Sequence, residues 1–194
     1  MIKKALVLPL LLLAFPVAAA DLDYNYIQLG YAQVDFDNDF DIGFDLDGDA
    51  FGLEGSFEIN DDWFISVEYS SIDLNFGIDL DQYSLGAGWH TSLTERADFF
   101  AILSYVNAEA SAGGLGSVDE DGIGVEIGVR GMVGDKFELG GFLGYVDLGD
   151  AGDGATVGGH ALYHFTDAVG VGATLEFDED VTAYGIGVRI YFGR

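Results

Sequence analysis

Three histidines, His90, His160 and His164, are the residues of this chain best suited to acid–base chemistry. An imidazole exchanges protons near neutral pH and often acts as the general acid or general base of a catalytic site. His90 and His164 lie beside segments with the composition of short turns, and the sequence contains no G-x-S-x-G nucleophile motif. We therefore expect hydrogen-bonded, structural histidines and predict no catalytic residue, with an enzyme kept as the third alternative.

A run of alternating aspartates, DFDNDFDIGFDLDGD from Asp35 to Asp49, has the oxygen ligands that hard cations prefer. An EF-hand requires Gly at its sixth position and Glu at its twelfth, where this run has Phe40 and Leu46. The alternative interpretation is a solvated loop whose charges repel one another. If the run binds a metal, the candidate ligands are Asp45, Asp47 and Asp49.

A second set of charged residues recurs at every other position of otherwise apolar segments. Successive residues of a strand face opposite sides, so these charges would share the interior of a closed sheet. Arg130 and Glu138 flank the turn at Gly134-Asp135 and are expected opposite each other or one diagonal step apart. The predicted lumen-lining residues are Glu54, Glu68, Glu126, Arg130, Glu138, His160, Glu176 and Arg189.

The segments that carry these charges alternate with a period of two, as in residues 123–130 (IGVEIGVR) and 169–177 (VGVGATLEF). About ten such segments follow residue 20, each of roughly the 9–11 residues that cross a bilayer as a tilted strand. The pattern predicts an all-β chain folded as an antiparallel up-and-down transmembrane β-barrel. Ten strands are expected; eight is the alternative, if the first and fifth segments belong to the rim.

Connection lengths and aromatic residues favour a membrane barrel over a soluble sandwich, which would also alternate. Tight turns at 60–62, 134–135 and 166–167 and a moderate one at 91–96 alternate with a second set of connections, most of which we expect to be longer, acidic loops. This second set comprises residues 35–48, 71–78, 107–119, 147–154 and 178–180. Aromatic residues are expected in two girdles at the membrane–water interfaces. Those near the tight turns are Trp63, Trp89, Phe99, Phe137, Phe165 and Phe192; those near the loops are Tyr31, Phe51, Tyr69, Tyr83, Tyr105, Tyr145, Phe177 and Tyr184.

Residues 1–20 have the pattern of a secretory signal peptide. Lys3 and Lys4 precede an apolar run, and Ala18 and Ala20 are the small residues that a signal peptidase reads, so cleavage is predicted after Ala20. The run is shorter than the roughly 20 apolar residues of a membrane anchor. Residues 21–194 are expected to form one domain.

The net charge of −27, with only 7 Lys and Arg, excludes nucleic acid as a partner because phosphate binding requires basic residues. A hydrophobic fraction of 49% excludes a disordered chain, and the absence of cysteine excludes a disulfide framework and a thiolate metal site. No cofactor is expected.

The final strand, GIGVRIYF, has Gly187, Ile190 and Phe192 at the spacing of a barrel-assembly signal. In this feature, and in its signal peptide and Gly-rich strands, the chain resembles the small outer-membrane β-barrel superfamily, which includes the OmpA, OmpX and opacity-type proteins. That family usually ends on the aromatic residue, whereas Gly193 and Arg194 follow here. The resemblance implies recognition by the barrel-assembly machinery and periplasmic chaperones.

Together these features predict a monomeric barrel of the cell outer membrane, in contact with lipid and lipopolysaccharide. A structural or surface-interaction role is expected, with acidic extracellular loops that divalent cations could bridge to the anionic leaflet. The lumen of so small a barrel is expected to be narrow and filled by side chains. A small porin-like channel is the alternative; because inward acids outnumber inward bases, it would prefer cations.

Overall fold

Ten antiparallel strands make up nearly all of the described chain. The computed structural model describes residues 22–36, 46–113, 116–179 and 181–193. The predicted signal peptide, with Ala18 and Ala20, and the candidate ligand Asp45 lie outside these residues. The strands are β1 (Tyr26–Phe36), β2 (Leu46–Asn60), β3 (Trp63–Leu74), β4 (Ile78–Thr94), β5 (Ala97–Ala112), β6 (Gly116–Val133), β7 (Phe137–Asp147), β8 (Asp153–Thr166), β9 (Val169–Phe177) and β10 (Val181–Tyr191).

Each strand pairs with its neighbours in sequence, and β1 pairs with β10, so the sheet closes into a barrel. At the closure Ile27 lies opposite Ile190, and Gly30 lies opposite Gly187. The prediction of an antiparallel up-and-down barrel of ten strands is confirmed. Within the described ranges, no helix is long and apolar enough to span a membrane.

The outer face of the barrel carries the apolar phase of the alternation. Leu103, Ile123 and Leu143 are 60, 60 and 56% exposed, although they are among the most hydrophobic residues in the chain. A surface of this kind is stable against hydrocarbon and would be unfavourable against water. The inner face is Gly-rich where rings cross it: a Cβ added to Gly88 would lie 2.1 Å from Cζ of Phe64.

The two ends of the barrel differ. At the short-turn end, the hairpins close over residues 61–62, 95–96, 134–136 and 167–168. At the long-loop end, residues 37–45 separate β1 from β2. Two acidic segments of that end, 71–78 and 107–119, were expected to be loops, and this prediction was wrong. They are mostly strand: β3 continues to Leu74, where it pairs with Ile78, and β5 continues to Ala112.

These strand extensions keep the period of two but reverse the polarity of the two faces. Val34, Leu74 and Val106 point inward there and are only 4, 3 and 3% exposed. The outward positions at the same height carry an acidic belt. It consists of Asp35, Asp47, Asp49, Asp73, Asp79, Asp81, Glu109, Asp119, Asp121, Asp147 and Asp153. An apolar interior under a charged exterior is the pattern of a barrel in water, so the hydrocarbon band ends below these extensions.

Four tyrosine–aspartate pairs mark that boundary on the outer face. In each, a tyrosine hydroxyl donates to an aspartate of the next strand, one diagonal step nearer the long-loop end. Tyr31 donates to Asp49 at 2.5 Å and Tyr69 to Asp81 at 2.9 Å. The equivalent pairs are Tyr105 with Asp121 and Tyr145 with Asp153. These four of the six predicted loop-side tyrosines therefore lie where the apolar face gives way to the acidic belt.

Candidate functional site

A buried charged cluster fills one side of the lumen at the short-turn end. Its centre is Glu138, the first inward residue of β7, which is 1% exposed. Its Oε1 lies 3.1 Å from Nε of Arg130 and 3.4 Å from Nη1 of Arg189. Nε2 of His160 is 3.3 Å from Oε1, and Nε2 of His164 is 3.3 Å from Oε2. The hydroxyl of Tyr191 also donates to Oε2, at 3.2 Å. One carboxylate is thus contacted from β6, β8 and β10.

Strand register places these partners. Glu138 pairs with Met132 and Arg130 with Gly140, so Arg130 and Glu138 are one diagonal step apart, as the sequence predicts. A carboxylate removed from water needs opposite charge and hydrogen bonds to remain ionised. Two guanidinium groups supply both. The charges of the cluster therefore compensate one another within it.

The cluster extends along the barrel wall through Arg189. Nε of Arg189 donates to Oε1 of Gln28 at 2.9 Å, and the Arg189 guanidinium lies 4.0 Å from the ring centre of Tyr26. Gln28 and Tyr26 in turn donate to Glu54, at 3.2 and 2.5 Å. Polar contacts therefore continue from β7 across β10 to β1 and β2.

The other side of the lumen, at the same height, is filled by rings. Tyr24, Phe64 and Phe100 form a buried cluster, with Ile102 and Phe142 packed against it. Tyr24 stacks on Phe64 at 4.8 Å and on His90 at 4.0 Å between ring centres. The guanidinium of Arg130 lies 4.5 Å from the centre of the Tyr24 ring. Arg130 thus joins the two sides, and side-chain contacts cross the lumen from β7 to β3 and β4.

Further toward the long-loop end, four inward glutamates form a region that we term the acidic chamber: Glu54, Glu68, Glu126 and Glu176. Glu54 and Glu68 are register partners on β2 and β3. The carboxylate of Glu126 is close enough to the other three for electrostatic repulsion between them. Glu68 is exposed and Glu126 and Glu176 are half-exposed, although all three point into the barrel. Their carboxylates therefore reach water inside the lumen.

The structure places all eight predicted lumen-lining residues on the inner face. It brings Arg130, Glu138, His160 and Arg189 together in the charged cluster. The four other glutamates lie in the acidic chamber.

Sequence reasoning missed the contributions of Tyr24, Tyr26 and Tyr191, and it did not pair His164 with Glu138. Tyr26 and Tyr191 occupy the inward phase of β1 and β10. That alternation was the sequence feature from which their position in the lumen could have been predicted. Tyr24 precedes β1, so no periodic pattern indicates where its ring lies. His90 belongs to a separate pair: its Nδ1 is 3.7 Å from Oδ2 of Asp98, and both residues are buried.

The candidate metal ligands within the described residues lie on the outer face of β2. Asp47 accepts a hydrogen bond from the Asn75 amide at 2.8 Å, and Asp49 accepts the one from Tyr31. Throughout residues 22–36, 46–113, 116–179 and 181–193, no group of three or more His, Cys, Asp or Glu has an arrangement suited to a metal ion. Asp47 and Asp49 therefore act as acceptors in the acidic belt.

The residues of the predicted assembly signal lie at the barrel seam. Gly187 pairs with Gly30 of β1. Ile190 and Phe192 face outward and are 50 and 37% exposed, and the Phe192 ring lies 5.5 Å from that of Phe57.

Comparison with known proteins identifies the family. A family model described as the outer membrane protein beta-barrel domain matches residues 5–177. Similar solved structures include Neisserial surface protein A (18% identity, TM-score 0.47, 86% of this chain and 96% of that one). Another is Ail, the attachment invasion locus protein of Yersinia pestis (20% identity, TM-score 0.45, 86% and 97%). A third is the KdgM porin (14% identity, TM-score 0.46, 87% and 99%). No curated protein matches the sequence. The chain belongs to the outer membrane protein beta-barrel family and resides in the cell outer membrane.

Proposed function

We propose that this protein is a barrel with a closed lumen that acts at the cell surface, in a structural or surface-interaction role. The observation that carries the proposal is the layer of buried side chains at the short-turn end. In outer-membrane barrels the short turns face the periplasm, so this layer lies between the lumen and the periplasm.

The chemistry of that layer opposes ion flow in either direction. Glu138, Arg130 and Tyr24 are 1, 3 and 2% exposed, which leaves little space for water between them. An ion that crosses must displace groups whose burial is compensated only by their mutual contacts. A filled lumen suits a barrel that presents an outer surface better than one that conducts.

The surface that such a barrel would present is acidic. The strand extensions raise the acidic belt beyond the apolar band, where it would meet the polar part of the outer leaflet. We propose lipopolysaccharide as the neighbouring partner there, with divalent cations between its phosphates and the carboxylates, because like charges at short distance would otherwise repel. The protein is proposed to act as a monomer.

Planar-bilayer recording and cell binding test the proposal together. The folded protein, verified by a heat-dependent mobility shift on denaturing gels, should give no discrete conductance. Cells that produce it should gain binding to a surface or partner, and deletion of residues 36–47 should abolish that gain while the mobility shift remains. Steady conductance from the folded wild-type protein would contradict the closed lumen.

The acidic chamber favours a second function, a small cation-preferring channel. Glu126 is half-exposed inside the lumen and lies near three other carboxylates, which would attract cations and exclude anions. If the wild-type protein conducts, replacement of Glu126 by Gln should reduce its preference for potassium over chloride. An unchanged reversal potential in a potassium chloride gradient would exclude this chamber as the selectivity site.

A further inference from the structure

Residues 22–25 leave the barrel wall and enter the lumen. They precede β1, and Tyr24 is 2% exposed although it belongs to no strand. Its ring contacts Phe64 of β3, His90 of β4 and Arg130 of β6. None of these strands pairs with β1, whose neighbours in the sheet are β2 and β10. The ring therefore lies across the lumen and does not pack against the wall next to it.

The segment is held at the short-turn end by an amide–carboxylate pair. Nδ2 of Asn25 donates to Oε2 of Glu58 at 2.6 Å, and the Glu58 amide donates to Oδ1 of Asn25 at 3.0 Å. Asn25 also accepts from the Phe192 amide at 3.0 Å, and Arg130 donates to the Asp23 carbonyl at 3.1 Å. These contacts lie at the end of the barrel, whereas the Tyr24 ring lies further inside.

Tyr24 separates two open regions of the barrel. On one side is a pocket of about 450 Å³ at the short-turn end, lined in part by Leu22, Asn25 and Glu58. On the other is the acidic chamber, since Glu68 follows Phe64 on β3 by two inward positions. The Tyr24 hydroxyl has no hydrogen-bond partner among the described residues, so stacking and apolar burial hold the ring in place.

We propose that residues 22–25 are a plug, with Tyr24 as the side chain that keeps the acidic chamber closed to the periplasm. The device is an autoinhibitory contact: displacement of the ring joins the chamber to the pocket and opens a cation path. The carboxylates of the acidic chamber and of the pocket outnumber the Arg130 guanidinium that Tyr24 covers, so small hydrated cations are the species that would pass. The plug goes beyond the proposed surface role, which requires only that the wild-type lumen is closed.

The experiment compares single-channel recordings of full-length variants in planar bilayers, each first shown to be folded by its heat-dependent mobility shift. Tyr24→Ala should produce discrete steps absent from the wild type, with a reversal potential displaced toward that of potassium in a potassium chloride gradient. Tyr24→Phe keeps the ring and should remain silent. Tyr163→Ala is the matched control, because it removes a tyrosine at the same end from the outer face, opposite Phe137.

A second variant addresses the anchor without truncating the ring. Asn25→Asp places a carboxylate against Glu58, and like-charge repulsion should release the segment and give brief openings. Addition of Glu58→Gln restores an amide–carboxylate pair, now with the carboxylate at position 25 and the amide at position 58, and should close the barrel again. This rescue would not follow if the single variant merely damaged the fold.

The outcomes distinguish the plug from the proposed function. Folded Tyr24→Ala and Asn25→Asp barrels that both stay silent overturn the plug and leave the closed-lumen role intact. Conductance in Tyr163→Ala equal to that in Tyr24→Ala also overturns the plug. If the wild type itself conducts, the closed-lumen role fails; the plug then stands only if Tyr24→Ala raises the conductance and Tyr163→Ala does not. Should Tyr24→Ala fail to fold, Asn25→Asp and its rescue decide.

Discussion

The carboxylate of Glu138 and the guanidinium of Arg130 lie 3.1 Å apart inside the barrel, with side chains that are 1 and 4% exposed. They are the diagonal neighbours that flank the β6–β7 turn, so the hairpin itself brings them together. Arg189, on β10, contacts the same carboxylate although it lies 51 residues after Glu138 in the chain. A local contact and a long-range contact therefore meet at one residue.

Replacement of Glu138 by Gln should be strongly destabilising. It leaves Arg130 and Arg189 buried and facing each other without a counter-charge, and loss of one partner of a buried ion pair costs about 3–5 kcal/mol. The free energy of unfolding in urea, measured in detergent or lipid, checks this. The matched control is Asp135→Asn, because Asp135 is 82% exposed in its pair with Arg96. That variant should change stability by less than about 1 kcal/mol.

Single cysteines can test the reversal of polarity in the strand extensions, since the chain contains no cysteine of its own. Asp73→Cys and Asp119→Cys should react with a membrane-impermeant maleimide on intact cells, because both positions point outward beyond the apolar band. Leu103→Cys, which faces hydrocarbon, should not react.

The adjacent residue Leu74 provides the sharpest comparison. It lies at the height of Asp73 but points inward and is 3% exposed. Leu74→Cys should react only after the barrel is unfolded. Equal labelling of the two positions in folded protein would show that the extension is a loop and not a strand with a packed interior.

Asp121 provides a pH-dependent test outside the membrane-spanning part of β6. Hydrogen bonds from the Tyr105 hydroxyl and then from the Asn107 amide lower the pKa of its carboxyl group. A lowered carboxyl pKa contributes stability at pH values above the unfolded pKa, and this contribution is lost as the pH falls through the folded pKa. The loss is therefore confined to pH values below about 4, the ordinary range of aspartate.

In Tyr105→Phe, the Asp121 pKa should rise toward its ordinary value of about 3.9, as measured by NMR titration of the carboxyl carbon. Tyr145→Phe removes the equivalent hydroxyl between β7 and β8 and should leave Asp121 unaffected. An Asp121 pKa that does not move in Tyr105→Phe would mean that the pair does not form in solution.

The last strand should control assembly. Phe192→Ala removes the terminal aromatic residue of the predicted signal, and we expect less folded barrel in the outer membrane, with unfolded chain retained in the periplasm. Val188→Ala, on the same outward face of β10, serves as the control for lost apolar surface. Equal amounts of folded barrel in both variants would remove Phe192 from the signal.

The strand alternation sufficed to predict the fold because one rule, an outward apolar residue followed by an inward small or polar one, recurs in all ten strands of the barrel. The same rule places Glu138 and Arg130 together, since both the turn and the inward phase can be read from the sequence. The distance between Glu138 and Arg189 could not be predicted, because it depends on how far each side chain reaches across the lumen.

The errors have one physical origin. Ile72, Leu74 and Ile78 belong to the segment 71–78 predicted as a loop, yet they continue the inward phase of β3 and β4. Outside the bilayer the solvent changes and the apolar phase turns inward, while the period stays the same. The position of Tyr24 could not be predicted for a different reason. It precedes the first strand, so no alternation indicates which way its side chain points.

The reversed faces also set the depth at which the barrel can sit. If it sinks, the carboxylates of Asp49, Asp81, Asp121 and Asp153 enter hydrocarbon; if it rises, the apolar residues below the tyrosines enter water. Both displacements are unfavourable, so the barrel cannot adapt to a thicker or thinner membrane by sliding along the normal. The bilayer must deform instead, and the lipids around the barrel will adopt the thickness that its tyrosines and tryptophans define.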